Sequence, residues 1–187
     1  MPAALLPKEE VLERLLSTFR DHGYDGASLT ELSAATGLGK SSLYHYFPGG
    51  KEDMAEQVLA HLDAQLTEAL FEPLRSKSSP ARKLIAMLAT IDAFYEGGKK
   101  ACLLERLCAS VDRARFRRPL AHAFKAWIEA VEGVCLEAGL PKALARHRAE
   151  DLVVRIEGAL VVCAGTGDPS LFERTLKQLR ASVLAKP

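Results

Sequence analysis

The stretch Gly37 to Lys51, GLGKSSLYHYFPGGK, constrains this chain more than any other. Glycine alone has free access to positive φ, so Gly37 can end a preceding helix. A new helix can open at Gly39 or Lys40 and run to Phe47, where Pro48, Gly49 and Gly50 stop it. Within it Leu43 and Phe47 form an i, i+4 pair that faces inward, which leaves Lys40, Ser41, Tyr44 and His45 outside. A short helix with one anchoring stripe and a polar, aromatic, cationic outer face suits the major groove of DNA. That groove admits a single helix, and hydroxyls, Lys, Tyr and His can reach base edges and phosphates from it. Taken alone, these residues describe a surface helix of a helical domain equally well.

The residues upstream supply the context. Ser28-Leu29-Thr30-Glu31 is a capping box: the Ser28 side chain accepts from the N3 amide while Glu31 reaches back to the amide of Ser28. A second helix therefore runs from Leu29 to Gly37, with Leu32 and Ala35 inward. Thr30 lies near its start, where free amides and the dipole favour phosphate. Before it, Pro7 suits the start of a first helix, and Val11, Leu12, Leu15, Leu16 and Phe19 share one face until Gly23. Helix two, a short turn and helix three make a helix-turn-helix.

Ser28 to Ser33, then Thr36 to Phe47, then Lys51-Glu52 resemble the DNA-binding signature of TetR-type transcriptional repressors. The Phe-Pro-Gly-Gly-Lys run and the Cys-Leu-Leu segment resemble the LmrA/YxaF-like branch of that family. The resemblance implies an all-α, nine-helix architecture: a three-helix head (residues 1–50) that binds DNA, and a larger helical bundle (residues 51–187) for effector binding and dimerisation. It implies that Lys40, Ser41 and Tyr44 approach bases, that Ser42, His45, Tyr46 and Lys51 hold the backbone, and that Ser28 or Thr30 adds a phosphate contact. Two departures from the common pattern stand out. Gly39 occupies the cap position usually held by Ser or Thr, and an additional glycine precedes Lys51.

Helical spacing continues to the end of the chain. Met54, Val58, Leu59, Leu62, Leu66 and Leu70 mark a fourth helix from Lys51, and residues 72–79 read as a loop. A fifth helix opens at Ser79-Pro80 and ends at Gly97-Gly98, a sixth spans residues 101–112 and a seventh runs from Pro119 to Gly139. Their aromatic, sulfur and aliphatic side chains, Met87, Ile91, Phe94, Tyr95, Cys102, Leu104, Leu107, Cys108, Phe124, Trp127 and Ile128, are candidates to line an adaptable apolar pocket; the same spacing also suits plain core. An eighth helix from about Ala143 to Ala164 and a ninth after Asp168-Pro169 carry surplus apolar surface. Leu152, Val153, Ile156, Gly158, Leu160, Leu171, Phe172, Leu176 and Leu179 are expected to form a four-helix homodimer seam, which the family also implies; the other reading is an ordinary hairpin.

Charge and cysteine content narrow the function. The 187 residues carry a net charge of +1, but residues 1–62 hold five Lys/Arg against nine Asp/Glu, which is unfavourable for phosphate binding. No acid lies between Lys40 and Lys51. The four cysteines form no CxxC pair and no secretory leader is present, so reduced thiols in a soluble, cytoplasmic protein are expected, with no metal and no cofactor. Cys102 and Cys108, six apart, fall on different sides of a helix and make a poor redox couple. No nucleophile elbow, phosphate loop or zinc-protease motif occurs, and an enzyme is not expected. The expected function is a dimeric repressor of an inverted-repeat operator on double-stranded DNA, released by a small apolar or aromatic effector, with no membrane partner. The alternative is a helical ligand- or partner-binding module whose acidic head no longer grips DNA strongly.

Overall fold

The computed structural model describes residues 6–185, and all regular structure among them is helical. Nine helices succeed one another: α1 (Lys8–Gly26), α2 (Leu29–Thr36), α3 (Lys40–Tyr46), α4 (Gly50–Leu66), α5 (Pro80–Phe94), α6 (Leu103–Cys108), α7 (Arg113–Glu137), α8 (Lys142–Thr166) and α9 (Ser170–Ser182). The α4 rod continues through a π-turn, Thr67–Phe71, and a last helical turn, Glu72–Leu74, where a loop was expected. A 3-10 turn, Glu96–Gly98, follows α5.

The chain packs as two compact units, and they do not divide at residue 50. One comprises residues 1–65 together with residues 103–119; the other comprises residues 66–102 and 120–187. The first unit takes in most of α4, because Met54, Val58, Leu59 and Leu62 are buried, and it recruits α6, which packs on α1 with Leu103, Leu104 and Leu107 turned inward. Phe116 at the start of α7 meets the Tyr24 ring edge-on at 5.0 Å. Helix α7 begins six residues before Pro119, where the sequence suggested a start. Pro119 is the seventh residue of this helix, so it cannot donate to the Arg115 carbonyl and its ring crowds that carbonyl, yet the helix continues through it. The chain passes from one unit to the other at that proline.

In the second unit α8 and α9 form an antiparallel hairpin, and α9 also packs on α5 and on the 3-10 turn. Asp168 begins α9 by accepting from the Ser170 amide at 2.9 Å; hydrogen bonding to the Ser170 side chain and then to its amide holds the Asp168 carboxyl below the ordinary range. The Tyr95 hydroxyl donates to Cys102 Sγ at 3.3 Å, and that thiol donates to Glu157 at 3.4 Å. Cys102, Cys135 and Cys163 are buried, whereas Cys108 on α6 is exposed. Burial pushes the Cys135 thiol up to about 11. At pH 8 about one Cys135 in a thousand is then thiolate. A thiol reagent at pH 8 is expected to modify Cys108 rapidly and Cys135 only on unfolding, read by mass spectrometry of native and denatured protein. The folded pKa lies above the unfolded one, so this thiol's contribution to stability is full below about pH 9 and is lost as pH rises toward 11.

Candidate nucleic-acid interface

The geometry of α3 is set by the turn before it. Ser28 and Glu31 complete both bonds of the capping box, at 3.2 and 2.7 Å, and this pairing holds the Glu31 carboxyl below the ordinary range. Helix α2 ends at Gly37 in the left-handed conformation, φ 69°, and its inward residues are Leu32 and Thr36; Ala35, expected inside, is exposed. The turn is braced by side chains. Ser33 Oγ donates to the Leu38 carbonyl at 2.6 Å, and Thr36 Oγ1 accepts from the Leu38 amide at 3.4 Å. Arg14 on α1 donates to the Thr36 carbonyl at 3.0 Å, closing the C-terminal end of α2. Leu38 itself is buried, so the turn is anchored to the core and α3 leaves it in one direction.

Helix α3 then seats Leu43, with Phe47 as its C-cap, and both are fully buried. Lys40, Ser41, Tyr44 and His45 are exposed, and Ser42 is half-buried. The Tyr44 ring lies against Gly50, whose φ of 70° only glycine adopts easily; a Cβ there would stand 3.4 Å from Tyr44 Cε1. No side chain caps Gly39, so the amides opening α3 keep no internal side-chain partner. Ser28 and Thr30 are exposed at the start of α2.

Two residues expected on the DNA backbone are engaged elsewhere. The Tyr46 hydroxyl donates to the Leu6 carbonyl at 2.8 Å, drawing the start of α1 to the end of α3. The Lys51 ammonium sits 4.6 Å over the Tyr24 ring and 3.5 Å from the Asp25 carbonyl oxygen. Desolvation there lowers its pKa, opposed by Asp25 and Glu31. Both side chains therefore fasten the head's own framework. The structure adds Lys8, which lies 5.9 Å over the Phe47 ring beside the α3 end. Sequence spacing gives no sign of it, since residues 9–46 intervene.

Several acids of the head are engaged away from α3. Glu10 pairs with Arg14 at 2.5 Å and Glu13 with His61 at 2.7 Å. Glu52 pairs with Arg115 at 2.5 Å, and Asp25 accepts from the Val111 amide at 2.8 Å. The deficit of positive charge in the first 62 residues thus lies on other faces, while α3 carries Lys40 and His45 and no acid.

The other candidate residues separate by unit. Leu104 and Leu107 are core of the N-terminal unit. Met87, Ile91, Tyr95, Cys102 and Trp127 are buried in the C-terminal unit, with Phe94, Phe124 and Ile128 half-buried beside them. None of these lines the cleft of about 480 Å³ that the C-terminal unit contains. Most of the residues expected in the dimer seam lie inside the single chain. Leu152, Val153, Ile156, Leu160, Phe172, Leu176 and Leu179 are buried within the single chain, on two helices that pack against each other. Leu171 is half-buried. The outward stripe of α8 is Val154, Gly158, Val161 and Val162, with the valines 68%, 48% and 45% exposed.

Comparison with known proteins agrees with this geometry. Residues 11–58 match the model of bacterial regulatory proteins of the tetR family, and residues 80–178 match the C-terminal domain of LmrA/YxaF-like transcriptional regulators. The HTH-type transcriptional regulator LmrA of Bacillus subtilis (strain 168) is 23% identical over 83% of this chain and 85% of its own. The HTH-type transcriptional repressor DhaR of Mycobacterium sp. (strain GP1) is 24% identical over 78% and 74%. A TetR transcriptional regulator from Legionella pneumophila superposes with a TM-score of 0.84 at 19% identity, covering 96% of this chain and 98% of that one. These families are transcriptional regulators and not enzymes, and among the described residues no helix is long and apolar enough to cross a membrane. The chain belongs to the TetR family of bacterial helix-turn-helix transcriptional regulators, with a C-terminal domain of the LmrA/YxaF-like kind.

Proposed function

We propose that this regulator is a repressor that binds an inverted-repeat operator as a homodimer and is released by a small apolar or aromatic effector. The observation that carries the reading is the outer face of α3, where Lys40, Ser41, Tyr44 and His45 stand exposed on a helix fixed by two buried anchors. Lys40, Ser41 and Tyr44 read base edges. Ser42, His45, Thr30 and Ser28 hold phosphates, and Lys8 joins them. Tyr46 and Lys51 act by keeping α3 in place. Repression is supported by DhaR, a relative named as a repressor. Binding of the purified protein to DNA from upstream of its own gene, followed by anisotropy over a salt series, should show a complex that survives scrambled competitor. No preference over competitor, followed by failure to select any sequence from a random DNA pool, would leave only the ligand-binding module.

The dimer is proposed to form through the outward stripe of α8. In the single chain a Cβ at Gly158 meets no atom within 4 Å, and the helix there is regular, so a larger residue is accommodated without loss of fold. Gly158→Arg is expected to turn the dimer into a folded monomer, read by sedimentation velocity and circular dichroism. An unchanged dimer would place the seam elsewhere.

A further inference from the structure

The cleft in the C-terminal unit lies between the end of the α4 rod, the start of α5 and the second half of α7, and one feature distinguishes it: a buried cation at its edge. The Lys83 side chain is 4% exposed, yet its ammonium meets the Glu137 carboxylate at 2.5 Å, and Glu137 is 46% exposed. The two partners are therefore unequal. Glu137 and the exposed Glu129 can turn into water at little cost, whereas the ammonium is held among side chains and needs an anion wherever Glu137 goes. The first turn of α5 holds no acid and its Ser79 makes no capping bond, so the positive end of that helix adds to the field at Lys83. Arg75, on the rim, is a further cation, 71% exposed beside Glu72.

The rest of the cleft is apolar and roomy. Phe71 and Leu74 from the π-turn and the helical turn after it face Val134, and α7 offers Ala126, Ala130 and Gly133, which leave the floor bare of side chains beyond Cβ. A Cβ added at Gly133 meets nothing within 4 Å. About 480 Å³ falls in the range that holds a drug-sized molecule.

We infer that this cleft is an effector site for carboxylates with an apolar body, the ligand carboxylate displacing Glu137 from Lys83 while its hydrocarbon lies over Gly133 between Phe71, Leu74 and Val134. The inference deepens the ligand-responsive reading above and rests on it only for its regulatory consequence, since binding itself is measured without DNA. It differs from the aromatic cluster of Phe94, Tyr95 and Phe172 in being open and in choosing charge as well as shape.

The test titrates the full-length protein with 2-naphthoate and decanoate, and with 2-naphthalenemethanol and decanol as uncharged matches, by calorimetry and by the emission of Trp127, the single tryptophan, adjacent in sequence to the lining residue Ala126. Each carboxylate is expected to bind at least tenfold more tightly than its alcohol. Lys83→Met should erase that preference. Glu137→Gln should increase carboxylate affinity severalfold by removing the internal competitor, a gain that damage to the fold would not produce. Gly133→Leu should fill the cleft and abolish binding of both kinds while the thermal melt is kept. Equal affinity for acid and alcohol, a preference that survives Lys83→Met, or no saturation by either carboxylate up to about 1 mM would overturn the inference. Operator binding by the same preparation, measured separately, shows whether the regulator reading stands or falls independently.

Discussion

Gly98→Ala is expected to destabilise the C-terminal unit by roughly 2–5 kcal/mol, from two additive causes. Gly98 has φ 89°, and its added Cβ would stand 2.5 Å from Phe172 Cβ, 3.0 Å from Cγ and 3.3 Å from Cδ1. Left-handed backbone costs an alanine about 1–2 kcal/mol. Overpacking adds about 1–3 kcal/mol, because Phe172 is fully buried in contact with the Tyr95 ring, 6.0 Å away between centroids, and has nowhere to retreat. The neighbouring Gly97 separates the two causes. It also has positive φ, 66°, but nothing within 4 Å of an added Cβ, so Gly97→Ala should lose only the backbone part. Urea denaturation of both variants gives the comparison, and equal losses would show that Phe172 yields freely.

Tyr44→Ala and Lys40→Ala should separate sequence reading from phosphate attraction. Tyr44 is 46% exposed and its ring rests on Gly50, so removing it takes away a positioned contact while Leu43 and Phe47 keep the helix seated. One base contact is worth about 1–3 kcal/mol per half-site, so a dimer lacking Tyr44 should lose on the order of a hundredfold in operator affinity, with its affinity for scrambled DNA little changed. Lys40→Ala should also cost operator preference, since Lys40 reads a base edge, but as a cation it should in addition weaken binding to scrambled DNA and reduce the salt dependence by about one charge per protomer. Anisotropy titrations from low to physiological salt distinguish the two. Equal losses on operator and scrambled DNA for Tyr44→Ala would mean that the tyrosine grips the backbone and reads no base.

What the sequence made legible was what neighbouring residues decide. The capping box, the stop at Gly37 and the Leu43–Phe47 stripe each rest on side chains within a few positions, and α2 and α3 formed where they pointed. The TetR family resemblance, carried by that same string, also held over the C-terminal half. Less could be read where distant residues decide. Residues 113–118 hold one large apolar side chain, Phe116, so no periodicity announced that α7 had begun; Phe116 is recruited by Tyr24, nearly a hundred residues earlier. Lys51 looked like a free cation because nothing local hints that it folds over the same tyrosine. On α8 the apolar residues were recognised, but their division between the α9 contact and the outward stripe depends on how the hairpin turns, which a list of hydrophobic positions leaves open.

The presence of residues 103–119 in the N-terminal unit bears on modularity. In an expressed fragment ending at residue 65, the α1 surface that meets Leu103, Leu104 and Leu107 would face water, as would the side of Tyr24 that meets Phe116; Glu52 would lose Arg115, and Asp25 would lose the Val111 amide. The reading head is thus not a bead that can be cut from the string and threaded elsewhere. A chimera that transplants this N-terminal unit onto another helical bundle must carry both segments.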